Sequence, residues 1–296
     1  MTYWFYRFLA ALPLPALYGL ASLAAWFLRR VIGYRRNVVA ANIERAFPDL
    51  DATGREQMLI DFYRHFVDTT LEIIAGYAMP MAALRERMVI NNPEILDEAS
   101  NGYRQSVIVM TLHQGNWEWM LYAANDRYPI DSAAVYKRLH DTGADRFSRE
   151  SRSRFGTEPI EMREAGRNVI KHRRRPRLIF MVADQSPGRR ERVHWTEFLN
   201  QRTAFFSGAA ALARATGFPV VFAAGQRHSR GYYRIQLTLI TNNPKTMEES
   251  AIIERYARLA EQAIKQSPAE WLWSNRRWKH SSQQVADADT GKSSDK

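Results

Sequence analysis

Apolar positions follow three different patterns along this chain. The first is the stretch Phe8–Leu28 (FLAALPLPALYGLASLAAWFL), which carries no charged residue. At about 1.5 Å of rise per residue, a run of this length can cross a hydrocarbon core as one helix. Tyr3, Trp4, Phe5 and Tyr6 precede it as an interfacial belt would, and Arg29, Arg30, Arg35 and Arg36 follow it, which holds the body on the cytoplasmic side. A cleaved signal peptide fits less well, because the run is long for an h-region and no small-residue cleavage site precedes the arginines. Residues 1–30 are therefore predicted to be an N-terminal membrane helix. Pro13 and Pro15 leave a broken, surface-lying helix open as the alternative, so attachment is the safer expectation than spanning.

The second pattern has a helical period. It runs from Asn37 to Tyr77, is interrupted by Pro48 and restarts after Asp51, which predicts two amphipathic helices; it returns at Gly208–Thr216 and at Glu248–Gln266. The third is the short apolar run of a strand: Ser106–Leu112, Leu178–Val182, Pro219–Ala223 and the alternating Tyr232–Ile240. Buried-looking strands separated by helical segments predict an α/β fold with a mixed sheet and functional residues at strand ends. Residues 31–280 read as one domain, and the polar tail 281–296 lacks apolar periodicity and is expected to be disordered.

Charge and cysteine content narrow the chemistry. A formal net charge of +11 and a pI near 10.0 point to a polyanionic partner: nucleic acid, anionic lipid or an acidic protein. With no cysteine, a disulfide framework, a thiolate nucleophile and a cysteine metal site are all excluded. Ser207 lies outside any Gly-x-Ser-x-Gly context, the histidines show no paired metal-ligand spacing, and no Gly-rich phosphate loop is present.

The segment HQGNWEW follows a predicted strand directly. On one continuous helix His113 and Glu118 would lie about 140° apart, so they meet only if His113 sits in a turn, with Gly115 permitting the bend, and Glu118 in the first turn of the next helix. A histidine oriented by a carboxylate is a general base for a hydroxyl. Spacing alone favours the plainer reading, a capping or packing histidine with a solvated glutamate.

Several ordered blocks add to this. VIVMTLHQGNWEW with its His-x4-Asp/Glu core, YRRNVVAANIERAFPDL, ADQSPG, FLNQRTAFFSGAAALARATGFPVVFA and AEWLWSNRRWKH together resemble the lipid A biosynthesis (late or secondary) acyltransferases, which are lysophospholipid-acyltransferase-like. The resemblance spans about Tyr3 to His280. It implies a single mixed-sheet domain of the glycerolipid acyltransferase type behind a membrane helix. It implies transfer of an acyl chain from an acyl carrier protein thioester to a hydroxyl of a lipid A precursor, at the cytoplasmic face of the bacterial inner membrane. It also implies that no cofactor or metal is needed. By position, His113 is the base and Glu118 orients it; Arg152 and Arg154 match the family's arginine stretch, and Asp184 its next acidic residue. Arg276 and Arg277 fall in the closing motif, with a structural or phosphate-binding role. Gln185, Ser186 and Pro187 after the aspartate, and FLN before the Gly208 block, depart from the pattern and put the acceptor and acyl chain in doubt more than the reaction.

Arg163, Arg167, Lys171, Arg173, Arg174, Arg175 and Arg177, followed by Arg189, Arg190 and Arg192, form a dense basic region. It suits either substrate phosphate or an acidic carrier protein, or else a solvated face resting on anionic lipid. Arg152 and Arg154 as surface residues, and Asp184 as a cap or salt-bridge partner, are the plainer alternatives. Trp117 and Trp119 either line an acyl groove beside His113 or pack a helix face, and Trp271, Trp273 and Trp278 share that ambiguity. The expected partners are the carrier protein, a lipid A precursor or other membrane glycolipid, and inner-membrane lipid, with no nucleic acid. Two rivals stay open: the same chemistry on a glycosylated phospholipid or amino-acid lipid, and a non-catalytic membrane protein that binds polyanions.

Overall fold

Proline divides the amino-terminal apolar run in two. In the computed structural model, which describes residues 1–188 and 191–279, helix α1 (Thr2–Ala10) stops before Pro13, and α2 (Leu14–Phe27) starts there with Pro15 in its first turn. A proline lacks the N–H that would continue the preceding helix and is tolerated at the start of the next one. Among the described residues no helix is long and apolar enough to cross a membrane. The predicted N-terminal membrane helix is corrected accordingly: the charge-free run is there, but Pro13 breaks it.

After a π-helical turn at Leu28–Ile32 come α3 (Arg36–Ala46) and α4 (Ala52–Gly76), the pair read from the sequence on either side of Pro48. Asp51 caps α4 by accepting a hydrogen bond from the Gly54 N–H at 2.7 Å. Leu14, Leu17, Ala21 and Ala25, at i, i+3, i+7 and i+11, are the buried stripe of α2, which packs on α4. The opposite stripe, Leu20, Leu23 and Phe27, is exposed.

The chain then builds a seven-stranded sheet by repeated crossovers. In order these are α5 (Met81–Arg87), β1 (Met88–Ile90), α6 (Glu94–Ala99), β2 (Val107–Thr111), α7 (Trp117–Arg127), β3 (Asp131–Tyr136), α8 (Thr142–Ser153), β4 (Thr157–Glu161), α9 (Ala165–Lys171) and β5 (Arg177–Val182). A separate hairpin of β6 (Val193–Phe198) and β7 (Gln201–Phe206) follows, turned by Leu199 and Asn200, both at positive φ. Then come α10 (Gly208–Thr216), the hairpin of β8 (Val220–Ser229) and β9 (Tyr232–Thr241), and α11 (Glu249–Gln266). The strand order is β1-β9-β8-β2-β5-β3-β4, and every neighbouring pair is parallel except β8 with β9. The α/β fold with a mixed sheet expected from the pattern is thus observed.

Strand β2 sits mid-sheet, with Val109 in register with Phe180 of β5 and Val221 of β8, and all five of its residues are buried. Ile108 and Met110 enter the core that includes residues of α3, α4, α10 and α11, whereas Val107 and Val109 enter the one that includes residues of α5 to α7. Each such side chain contributes about 1.5–3 kcal/mol by burial. The centre of the sheet is therefore rigid, and the loops leaving the carboxyl ends of β2 and β5 are where a site can be held accurately. The tail 281–296, with His280, lies outside the described residues.

Candidate active site

His113 is the second residue after β2, and Asp184 the second after β5. Because these strands are parallel and adjacent, their ends bring the two side chains together. The turn that carries His113 is locally demanding. Gly115 has φ +58°, and a Cβ there would stand 2.7 Å from the Gly225 carbonyl oxygen, so both the conformation and the close approach to β8 require glycine. Asn116 then caps α7, its side chain accepting from the Trp119 N–H at 3.1 Å. The segment at Trp271–Trp273 clamps the turn from outside: the Leu272 N–H donates to the His113 carbonyl at 3.0 Å. His113 thus lies in the turn and Glu118 in the first turn of the helix, as the spacing anticipates.

The partner of the imidazole differs from that expectation. His113 Nδ1 lies 2.7 Å from Asp184 Oδ1, while the His113 backbone N–H donates to Asp184 Oδ2 at 3.0 Å and Trp271 Nε1 donates to the same oxygen at 2.7 Å. Asp184 is buried. Burial opposes its charge, but the His113 imidazole and these three donors hold its carboxyl below the usual range. An ionised carboxylate only accepts, so Nδ1 carries a proton, and in the neutral imidazole Nε2 then presents a lone pair. The Gln185 amide donates to that lone pair at 3.2 Å.

Glu118, named from the sequence as the orienting carboxylate, is instead gripped by the guanidinium of Arg152, whose Nε donates to Oε2 at 2.8 Å and whose Nη2 donates to Oε1. Both side chains are nearly buried. Burial raises the Glu118 pKa, yet the Arg152 charge, its hydrogen bonds and the His113 imidazole bring it below the ordinary value. The physical reason for the exchange is topological: Asp184 stands at the end of the neighbouring strand, whereas Glu118 turns into the fork of α8.

The other expected substrate-binding residues are dispersed. Arg154 donates to the Gly76, Tyr77 and Met79 carbonyls at 3.2, 2.6 and 2.8 Å, which closes the carboxyl end of α4, so it does not reach the cleft. Arg276 is exposed. Arg277 is buried, its guanidinium 4.4 Å from the centre of the Phe205 ring and without a hydrogen-bond partner among the described residues. Burial lowers its pKa to about 10, against the attraction of Asp184. It is a core cation behind Asp184 and not an open phosphate site. Lys171 and Arg173–Arg175 cluster before the start of β5, about 20 Å of strand away from its functional end; Arg163 follows the carboxyl end of the edge strand β4, three strands from β2, and Arg167 lies along α9 between the two. Arg177 is buried and bonded to Glu158 and Asn168 at 3.0 Å each, Arg192 pairs with Glu249 at 2.9 Å, and Arg189 and Arg190 lie outside the described residues.

Phe62, Phe66, Trp117 and Trp271 face His113 around a space of about 20 Å³. That volume admits one hydroxyl-sized group and is too small for an acyl chain. Trp119 belongs to the core, its Nε1 donating to the Glu72 carbonyl at 3.0 Å. Glu72 itself is wholly buried and accepts from Tyr18, Tyr233 and Asn116 at 2.9, 2.6 and 3.2 Å; burial raises its pKa against those bonds. It braces the turn from behind, and nothing in the local sequence marks it.

The model of the family described as bacterial lipid A biosynthesis acyltransferase matches residues 1–280. A similar protein is the lipid A biosynthesis lauroyltransferase of Escherichia coli (strain K12), 22% identical over 285 residues that span 90% of this chain and 87% of that protein.

Proposed function

Since the chain belongs to the bacterial lipid A biosynthesis acyltransferases and is an acyltransferase on lipid A-like acceptors, we propose that its donor is an acyl carrier protein thioester and its base His113. The observation that carries the proposal is the His113–Asp184 pair, which fixes the tautomer of an imidazole that lines a hydroxyl-sized space. In the reaction, Nε2 takes the acceptor's hydroxyl proton as the oxygen attacks the thioester carbonyl. The C–S bond breaks, the thiolate leaves, and the proton passes from the imidazolium to sulfur, so one alcohol and one thioester become one ester and one thiol. Asp184 stays ionised and balances the imidazolium. Glu118, held by Arg152, adds negative charge nearby without touching the ring. Gln185 gives up Nε2 to the entering hydroxyl, which frees its amide to donate to the tetrahedral oxyanion.

The second part of the proposal is location: the enzyme lies in the plane of the cytoplasmic face of the inner membrane. Trp4, Phe5 and Phe8 on α1 and Leu20, Leu23 and Phe27 on α2 are exposed, and the exposed Arg30, Arg35 and Arg36 follow them in sequence. Such a face suits an interfacial helix pair on an anionic surface. Leu23→Glu should reduce co-flotation with anionic vesicles, and unchanged flotation would remove this part.

Mass spectrometry of lipid A from wild-type, deletion and His113→Ala strains tests the reaction. Both mutants should lose the same single acyl chain. Unchanged lipid A in both would move the acceptor to another membrane lipid.

A further inference from the structure

A cavity of about 580 Å³ adjoins the cleft. It shares His65 and Glu270 with the small space at His113, so the two volumes meet across those side chains. The helix α2 lines it with the small residues Ala21, Ser22 and Ala25, and its outer stripe is the exposed apolar one described above. The cavity's lining is mixed, apolar on the side of Ala21, Ala25, Trp26 and Ile60 and charged on the side of its arginines and carboxylates, and its cations are unevenly committed. Arg227 and Arg230 are both bound to Asp68 at 2.9 Å, and Arg29 to Glu56 at 2.6 Å. Arg64 is the exception: it has one loose contact to Asp61 at 3.5 Å, and its side chain is 66% exposed. Among the described lining residues Arg64 therefore offers a guanidinium able to take two oxygens of an incoming anion. Asp61 and Glu270 offer acceptors for hydroxyls, and Trp26 offers a flat apolar surface. An acyl chain would leave those groups desolvated, whereas a sugar phosphate satisfies them.

We infer that this cavity is the acceptor's subsite: it holds a phosphorylated sugar head group, with phosphate on Arg64 and the sugar toward Glu270 and His65, so that a sugar hydroxyl enters the small space at His113. The inference rests on the proposed function of that same site. The acceptor's existing acyl chains then lie along the exposed stripe of α2, and the thioester approaches His113 from outside this cavity.

The test uses full-length enzyme, an acyl carrier protein thioester, and a phosphorylated glycolipid acceptor alongside the same glycolipid without phosphate. Arg64→Ala should raise KM for the phosphorylated acceptor about tenfold. It should leave KM for the thioester and for the dephosphorylated acceptor within twofold, and Arg64→Lys should recover part of the loss. Arg64 is exposed, so these variants fold. Ser22→Trp, which narrows the cavity from its exposed rim, should raise KM for both acceptors but not for the thioester. A rise in the thioester KM would make the cavity the donor's, and unchanged acceptor kinetics in both variants would remove it as a subsite while the reaction at His113 stood. A wild-type enzyme that acylates neither glycolipid would overturn the functional reading and this one with it.

Discussion

Two buried carboxylates act on His113, and they are satisfied in different ways. Asp184 receives three single N–H donors, two from His113 itself and one from Trp271, so its role is directional. Glu118 receives one guanidinium, so its role is to keep a charge where burial would otherwise neutralise it. The sequence motif contains the second carboxylate and not the first. The comparison teaches that spacing along a chain identifies neighbours in one element, while a parallel sheet supplies the partner from the next strand.

The largest expected effect follows from the directional role. In Asp184→Asn the amide has one acceptor oxygen and an NH2 where three donors converge, so at least one donor faces a donor, and the imidazole is free to flip its tautomer. We expect kcat/KM to fall by about 10²–10⁴-fold, the range for losing a working general base. Glu118→Gln should lose less activity at its pH optimum. Equal losses in the two variants, measured under the same conditions, would erase the distinction drawn here.

Glu118→Gln should instead be the more damaging change to stability. It leaves Arg152 buried without its counter-charge, a situation that costs about 3–5 kcal/mol. Removing both charges in Glu118→Gln/Arg152→Met should recover most of that, read as the denaturation midpoint. A double variant no more stable than the single one would show that the pair is not the cause.

The same contrast governs how much could be read from the chain. The helical period gave α3, α4 and α11 nearly to the residue, because each has a polar face that makes the apolar stripe visible, and α10 as an alanine-rich run between Ser207 and Gly217. Strands β2, β5, β8 and β9 were legible as β-branched or alternating runs. Strands β3 and β4 were not: DSAAVY is rich in small residues, and TEPIE carries a proline and two glutamates, which only its place at the sheet edge tolerates. The Phe8–Leu28 run reads as one long helix because total apolarity dominates a window that Pro13 and Pro15 interrupt, and the two prolines are what keep a broken, surface-lying helix open as the alternative. At the site, His113 and the turn at Gly115 were legible locally; Trp271 sat in a recognised block with no sign of which residue its indole would meet, and Glu72 and Glu270 were silent because their surroundings are assembled from distant segments.

Trp271→Phe sharpens the role of Asp184 at a smaller scale. It removes one of the three donors to Asp184 while leaving both from His113, and a hydrogen bond to a charged group contributes about 1.5–3 kcal/mol. Activity should fall about tenfold, well short of Asp184→Asn. The remaining two bonds keep the imidazole in place, so the pH profile of kcat/KM should keep its shape. A changed profile would mean that the indole, and not His113, sets the charge of Asp184.

Glu270 tests the opposite case, a carboxyl that the fold keeps protonated. Burial pushes its pKa from 4.5 up to about 7, against the Arg227 N–H bond and charge. The folded state therefore holds this proton more tightly than the unfolded chain, and between about pH 4.5 and 7 its contribution to stability falls as pH rises, levelling off above. His65, which lines the same cavity, is pushed from 6.5 down to about 3 by burial and by Arg227, so its contribution rises with pH between those values and cancels part of the slope. The informative quantity is then the difference between wild type and Glu270→Gln, which keeps an acceptor for the Arg227 N–H but has no proton to lose. Relative to wild type, the variant should gain about 1–2 kcal/mol on going from pH 4.5 to 7, after discount for the partial exposure of the carboxyl. Melting curves of the two proteins across that window decide it: a constant offset at every pH would show that Glu270 is ionised in the folded protein just as it is in the unfolded chain, and that the cavity beside His113 carries one more negative charge than is assigned to it here.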